Sequence, residues 1–100
     1  MDAELKAKWV AALRSGEYRQ GKRLLHDEDH NTYCCLGVLC ALIGKQSADR
    51  HMVSHKFARS IGCRIYNDDK GQGFPLAQLS HMNDSGQSFA EIADYIERNL

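Results

Sequence analysis

The sequence predicts a single domain, residues 1–100, of the α+β class. Three observations indicate this class: apolar residues recur at helical spacing near both ends, a central segment is apolar throughout, and turn-rich polar runs separate short strand-like stretches. One hundred residues, 43% of them hydrophobic, suffice for one core and not for two. The predicted order is an N-terminal helix, a β-hairpin, a buried central helix, a second short hairpin or strand, and a capped C-terminal amphipathic helix.

The first third of the chain predicts a helix followed by a hairpin. Gly16 is the expected end of the helix. Two arms, 22–25 and 32–34, flank the polar run 26–31, which is typical of a hairpin whose loop exceeds two residues. The helix itself is predicted from the spacing of Leu5, Trp9, Ala12 and Leu13.

The central segment Cys35–Ile43 is apolar on all sides, which predicts a buried helix that Gly44 ends. Gly37 lies inside this segment, where glycine costs about 1 kcal/mol relative to alanine. We therefore expect another stretch of backbone to pack closely against Gly37.

The second half is less regular. Ser54 is a candidate cap for a short helix that Gly62 ends. Residues 63–66 alternate as a strand does, the turn 67–73 follows, and a returning arm is expected before Pro75. One or two helical turns, broken at residues 83–87, are then marked by Leu76, Leu79 and Met82.

The C-terminal helix has the clearest signals. Ser88 and Glu91 match a capping box, in which the serine side chain binds an early N–H and the glutamate reaches back to the cap. An apolar stripe follows at helical spacing. It can pack against the core or against a second copy of the chain, so the sequence allows a monomer or a homodimer. The stripe consists of Phe89, Ile92, Ala93, Ile96 and Leu100.

The charge is balanced overall, with 13 basic and 13 acidic residues, which argues against nucleic-acid or anionic-membrane binding. It is nevertheless divided along the chain into a basic segment, 44–66, and an acidic segment, 67–100. One explanation is that the two segments form oppositely charged, solvated faces that attract each other within one fold. The alternative is that they form contact surfaces for a partner. The candidate partner-binding residues are Asp68, Asp69, Asp84, Glu91, Asp94 and Glu97 on the acidic side and Arg50, Lys56, Arg59 and Arg64 on the basic side.

The histidines and cysteines allow a second hypothesis. His26, His30, Cys34 and Cys35 supply enough ligands for a tetrahedral zinc ion, although only the two histidines have the usual spacing. Buried cysteines that pack as small hydrophobic residues are the simpler interpretation. Cys35 at the start of the central helix is a candidate nucleophile, since a helix N-terminus lowers a thiol pKa. We predict no catalytic residue and no cofactor.

The chain carries no predicted membrane span, because its longest apolar stretch, 34–43, is about half of the ~20 residues that a spanning helix needs. Its N-terminus lacks the basic and apolar regions of a signal peptide. We therefore expect a cytoplasmic protein whose four cysteines are reduced.

Residues 79–96 resemble the first two helices of helix-turn-helix DNA-binding domains. The third helix, which enters the major groove in those domains, has no counterpart after this segment, and the surrounding charge is acidic. DNA binding is therefore a weaker alternative.

Three stretches together resemble a family of small proteins encoded by bacteriophages and prophages: KWVAALRSGEY (8–18), YCCLGVLC (33–40) and LSHMNDSGQSFAEIAD (79–94). The resemblance implies no catalytic or binding residue. It implies a small accessory protein that binds a host protein in the bacterial cytoplasm, including as an inhibitor of a defence system such as CRISPR.

Overall fold

The computed structural model describes residues 1–44, 55–62 and 75–100. Within these ranges the chain forms five α-helices and one two-stranded antiparallel sheet, which confirms the predicted α+β class. The candidate second hairpin (63–74) and Ser54 lie outside the described residues. The elements are α1 (Ala3–Ser15), β1 (His26–Asp27), β2 (Thr32–Tyr33), α2 (Cys35–Ile43), α3 (His55–Ser60), α4 (Pro75–Asp84) and α5 (Phe89–Asn99).

Helix α1 is capped at both ends. The Asp2 carboxylate accepts the Leu5 N–H at 3.4 Å, and Gly16 ends the helix in the left-handed conformation (φ +80°), as predicted. Trp9 is fully buried, and its indole N–H donates to the Cys35 carbonyl at 2.9 Å. That bond joins the middle of α1 to the start of α2 and satisfies the polar atom of a buried aromatic side chain.

Helix α2 is the centre of the fold. Its first six residues, 35–40, are buried, and Gly44 ends it at φ +69°, so both predictions for this helix are confirmed. The close approach predicted at Gly37 is to the hairpin: a Cβ built there would lie 2.5 Å from the Leu25 carbonyl carbon and closer still to its oxygen. Only glycine leaves room for this contact between two backbones.

The hairpin is shorter than predicted, and its first arm was placed wrongly. Pairing joins His26 to Tyr33 and Asp27 to Thr32, whereas residues 22–25 form no strand. The chain turns there instead: Arg23 has φ +70°, and the Leu24 N–H donates to the Lys22 carbonyl at 2.8 Å. A left-handed residue interrupts the extended backbone that a strand requires, so pairing begins only at residue 26.

Helices α4 and α5 are joined by residues 85–88. Asn83 and Asp84 still belong to α4, so the break expected at 83–87 begins two residues later. Gly86 in the connection has φ +103°, a conformation that glycine adopts without strain. The short connection leaves the start of α5 beside the end of α4.

The predicted capping box of α5 is confirmed. The Ser88 hydroxyl accepts the Glu91 N–H at 3.2 Å, and the Glu91 carboxylate accepts the Ser88 N–H at 3.3 Å.

We expect Ser88→Ala to lower the free energy of unfolding by about 1 kcal/mol, measured by urea denaturation. Glu91→Gln is the control and is expected to cost less, because an amide oxygen still accepts the Ser88 N–H. Equal losses in the two variants would contradict this assignment.

The four longer helices form the core, and α4 and α5 also pack against each other. Helix α1 packs against α5 and α2, and α2 packs against α4. Phe89, Ile92, Ala93 and Ile96 of the C-terminal stripe are buried within one chain. These four residues therefore belong to the core and do not form the dimer contact that the sequence also allowed.

Candidate binding surface at the hairpin

The hairpin is held by a buried amide, Asn83, on α4. Its side chain has no solvent exposure, and its Oδ1 accepts the Cys35 N–H at 3.2 Å and the Gln20 Nε2 at 3.1 Å. Its Nδ2 donates to the Gly21 carbonyl at 2.8 Å. One side chain therefore caps the N-terminus of α2 and fixes the loop that precedes the hairpin.

Gln20 extends this network to the start of α5. Its Nε2 also donates to the Gln87 carbonyl at 2.7 Å, and its Oε1 accepts the Phe89 N–H at 3.1 Å. Gln20 lies beside Tyr33 in an isolated parallel bridge, so the loop runs along the open side of β2. A side chain with its amide oxygen and nitrogen both bonded gives this loop a single well-defined position.

Asp84 fixes a third point of the loop. Its carboxylate accepts the backbone N–H of Arg23 at 2.8 Å. Arg23 is in the left-handed region at φ +70°, which costs an L-residue other than glycine about 1 kcal/mol or more. The charged hydrogen bond from the end of α4 offsets that cost and holds the turn.

Three aromatic rings form the centre of the surface. The rings of His26 and Tyr33 stack with centroids 4.2 Å apart and planes 4° apart, and Tyr18 meets Tyr33 edge-on at 5.2 Å. All three residues are partly exposed. Aromatic contacts of this kind contribute about 0.5–1.5 kcal/mol beyond the area they bury, which favours this arrangement of the rings.

The tip of the hairpin is organised by Asp27. Its Oδ1 accepts the N–H groups of Asp29 (3.1 Å) and His30 (3.4 Å), and its Oδ2 lies 2.9 Å from the His30 Nδ1. The hydrogen bond from the His30 side chain lowers the pKa of the Asp27 carboxyl. The His30 Nδ1 donates to this carboxylate from a side chain that is 76% exposed.

These residues present mixed chemistry on a fixed backbone. Basic side chains lie at the loop, aromatic rings at the strands and carboxylates at the tip. We call six of them the hairpin surface: Arg19, Lys22, His26, Glu28, Asp29 and Tyr33.

The acidic candidates of the sequence are partly used within the chain. Arg14 on α1 forms ion pairs with Asp94 and, at 3.2 Å, with Glu97, while Glu91 serves the capping box. Asp84 holds the Arg23 backbone as described. In the described part of the chain, these partners of the acidic face come from α1, from the hairpin loop and from α5 itself.

The basic candidates are only partly described. Lys56 and Arg59 are exposed on α3. Four of the ten charged candidates lie outside the described residues: Arg50, Arg64, Asp68 and Asp69.

The candidate nucleophile Cys35 lies in the core at the start of α2. This residue is fully buried, and burial raises the pKa of its thiol well above the usual value, despite the backbone N–H groups at the start of α2. Burial likewise raises the pKa of Cys34, and that of Cys40 to about 11. All three are free thiols that pack in the core. Cys63 lies outside the described residues.

The thiols provide a test. We expect iodoacetamide to modify Cys34, Cys35 and Cys40 at least about tenfold more slowly in the native protein than in urea, because the thiolate is the nucleophile and burial disfavours it. Raising the pH from 7 to 9 leaves Cys40 mostly protonated, since its pKa is about 11. Peptide mapping by mass spectrometry measures each site. Modification of Cys35 at the unfolded rate would contradict the burial described above.

The zinc hypothesis gains no support from the geometry. Within residues 1–44, 55–62 and 75–100, no group of three or more histidine, cysteine or acidic side chains is arranged to hold a metal ion. His26 stacks on Tyr33 and lies 3.4 Å from the Asn31 Oδ1, while His30 pairs with Asp27. The two histidines are thus engaged at the surface, and Cys34 and Cys35 lie in the core.

The sequence missed the amide network because its members are ordinary polar residues. Asn83 did carry one signal: it follows Leu76 and Leu79 at helical spacing, which places an amide on an apolar helix face. Gln20 and Tyr18 lie in a loop without periodicity, where no local pattern marks a buried contact.

A comparison with protein families gives one match. The model of a domain of unknown function, DUF8296, matches residues 1–76. The chain belongs to this family. The DUF8296 match spans α1, the hairpin, α2 and α3, and so includes all six residues of the hairpin surface; it ends at the second residue of α4.

A comparison of the chain with curated proteins and another with solved structures each found no match. In the part of the chain that the structure describes, no helix is both long and apolar enough to cross a membrane.

Proposed function

We propose that this chain is a small accessory protein of the phage type that binds a host protein in the bacterial cytoplasm. In its specific form, the proposal is that the bound protein belongs to a defence system such as CRISPR and is inhibited. The resemblance of residues 8–18, 33–40 and 79–94 to phage and prophage proteins supports this context. The anchored hairpin is the structural observation that supports binding.

Preorganisation of the hairpin favours binding. A side chain that is already fixed loses little conformational freedom on binding, whereas ordering a mobile one costs about 0.5–1.5 kcal/mol. The loop and hairpin are fixed at four points, by Gly37, Asn83, Gln20 and Asp84. Functional residues are often found on loops that a rigid scaffold positions.

The partner is sought by affinity purification. The full chain, carrying an affinity tag, is incubated with a bacterial lysate at low salt, and bound proteins are quantified by mass spectrometry. We expect one protein or complex to be recovered in stoichiometric amount. His26→Ala, which removes one ring of the aromatic stack, is expected to reduce its recovery, while Lys8→Ala on the exposed side of α1 is expected to leave recovery unchanged.

The specific form has its own test. We expect expression of the chain to raise the plating efficiency of a phage on a host whose CRISPR system targets that phage. Recovery of no stoichiometric protein at low salt would refute the binding proposal itself. Recovery of a protein unrelated to defence, with no change in plating, would refute only the specific form.

A further inference from the structure

The hairpin surface carries opposite charges at its two ends. Arg19 and Lys22 are exposed, and neither side chain forms a hydrogen bond or an ion pair with any residue that the structure describes. The side chains of Glu28 and Asp29 at the tip are likewise exposed and without such contacts in the same ranges. Unlike the acidic residues of α5, these four charges are not neutralised within the described chain.

The backbones that carry these charges are fixed. The Arg19 carbonyl accepts the Tyr33 N–H at 2.8 Å, and the Tyr33 carbonyl accepts the Gly21 N–H at 2.7 Å. The Lys22 carbonyl accepts the Leu24 N–H at 2.8 Å, and Asp29 is held through its N–H by the Asp27 carboxylate. The backbone at the two charged ends is therefore held in place, which favours recognition of a complementary charge pattern on a partner.

An aromatic centre belongs to the same surface. The stacked rings of His26 and Tyr33 sit on the paired strands, next to the loop that carries Arg19 and below the tip that carries Glu28. Partly exposed aromatic residues with charges around them match the usual anatomy of a protein interface, in which an apolar centre has a polar rim.

We infer that the hairpin surface binds a protein that presents carboxylates to Arg19 and Lys22 and a basic side chain to Glu28 and Asp29. This inference rests on the proposed function and specifies the chemistry of the partner. A nucleic acid fits less well, because the phosphates along its backbone would meet the carboxylates of the tip as well as the basic residues. A protein with the complementary arrangement of charges satisfies both ends.

Charge reversal at each end tests the inference. The two variants are Arg19→Glu with Lys22→Glu, and Glu28→Lys with Asp29→Lys. We expect each to weaken binding of the captured host protein at least about tenfold, measured by titration with the purified partner, because each places like charges in contact. Lys8→Glu with Arg98→Glu is the matched control. It changes the net charge as the first variant does, at exposed sites on α1 and α5, and is expected to leave affinity nearly unchanged.

Zero-length cross-linking gives a direct readout. A carbodiimide joins a lysine amine to a carboxylate, so we expect it to link Lys22 to an aspartate or glutamate of the captured protein, and Glu28 or Asp29 to one of its lysines. Reversing the charge of the linked partner residue is then expected to restore binding to the chain with Arg19→Glu and Lys22→Glu. Circular dichroism of each variant checks that the fold is retained.

The outcomes separate the two proposals. Stronger binding after Glu28→Lys with Asp29→Lys would indicate a polyanion and would overturn the inference. Unchanged affinity in both double variants, with the partner still captured, would also overturn it, while leaving the proposed function in place. Failure to capture any protein would instead refute the proposed function.

Discussion

Gly37→Ala is expected to lower the free energy of unfolding by at least about 3 kcal/mol. In an unconstrained helix this change would stabilise by up to about 1 kcal/mol. Here the new Cβ would lie 2.5 Å from the Leu25 carbonyl carbon, which neither a rotamer change nor a small shift of one side chain relieves. The hairpin has to move as a unit away from α2, so the steric cost exceeds the usual 1–3 kcal/mol of overpacking. Thermal melting is expected to show a decrease of roughly 12 °C or more.

Gly16→Ala is the matched control for this prediction. Gly16 is also conformationally special, at φ +80°, but no atom lies within 4 Å of a Cβ built there. Its substitution therefore incurs only the cost of a left-handed backbone, about 1–2 kcal/mol. If Gly37→Ala were no more destabilising than Gly16→Ala, the close packing of the hairpin on α2 would be refuted.

Asn83→Asp is expected to cost about 3 kcal/mol or more at pH 7. The substitution keeps the shape of the side chain but replaces the donor to the Gly21 carbonyl by an acceptor, and it puts a carboxyl at a position with no solvent exposure. Burial raises the pKa of the introduced carboxyl, so the folded state binds a proton more tightly than the unfolded state does. Stability is therefore expected to rise as the pH falls below the raised pKa, since the protonated group donates to Gly21 again.

Urea denaturation at pH 7 and pH 5 measures this effect. Wild-type protein and the control Asn99→Asp are examined under the same conditions. Asn99 is exposed on α5, where its Nδ2 donates to the Tyr95 carbonyl, and its substitution is expected to change stability by no more than about 0.5 kcal/mol. An equal loss for Asn83→Asp at both pH values, after subtraction of the control, would contradict a buried carboxyl at this position.

The parts of the fold that the sequence predicted are those with local causes. Gly16 and Gly44 end helices because glycine adopts the left-handed conformation at no steric cost, and the capping box joins residues three apart. The apolar segment Cys35–Ile43 predicted a buried helix because no polar side chain is available for a solvated face. Each of these features is determined by residues that lie close together in the sequence.

The hairpin boundaries and the amide network required distant partners. Leu24 and Leu25 favour a strand by composition, but the turn before them is held by Asp84, 61 residues from Arg23. The Gln20 contacts span 63 and 67 residues. Nothing in a short window of sequence shows which amide will be buried, because that depends on which helices meet.

The charged candidates show the same limit. The division into a basic and an acidic segment is visible in the sequence, but the partner of Asp94 and Glu97 is Arg14, in a third segment of the chain. The exposed charges of the hairpin surface are balanced in number within their own segment. Whether such a charge is available to a binding partner depends on whether the fold gives it an ion pair within the chain. The three-dimensional arrangement decides this, and the local sequence does not show it.

The cap that Asn83 places on α2 has a consequence for synthesis of the chain. Cys35 leaves the ribosome 48 residues before its hydrogen-bond partner. At roughly 5–20 residues per second, the most apolar helix of the protein waits about 2–10 s without its N-terminal cap and without α4 to cover it. We expect chaperones that recognise exposed apolar segments to bind the nascent chain during that interval, until α4 (Pro75–Asp84) has been made.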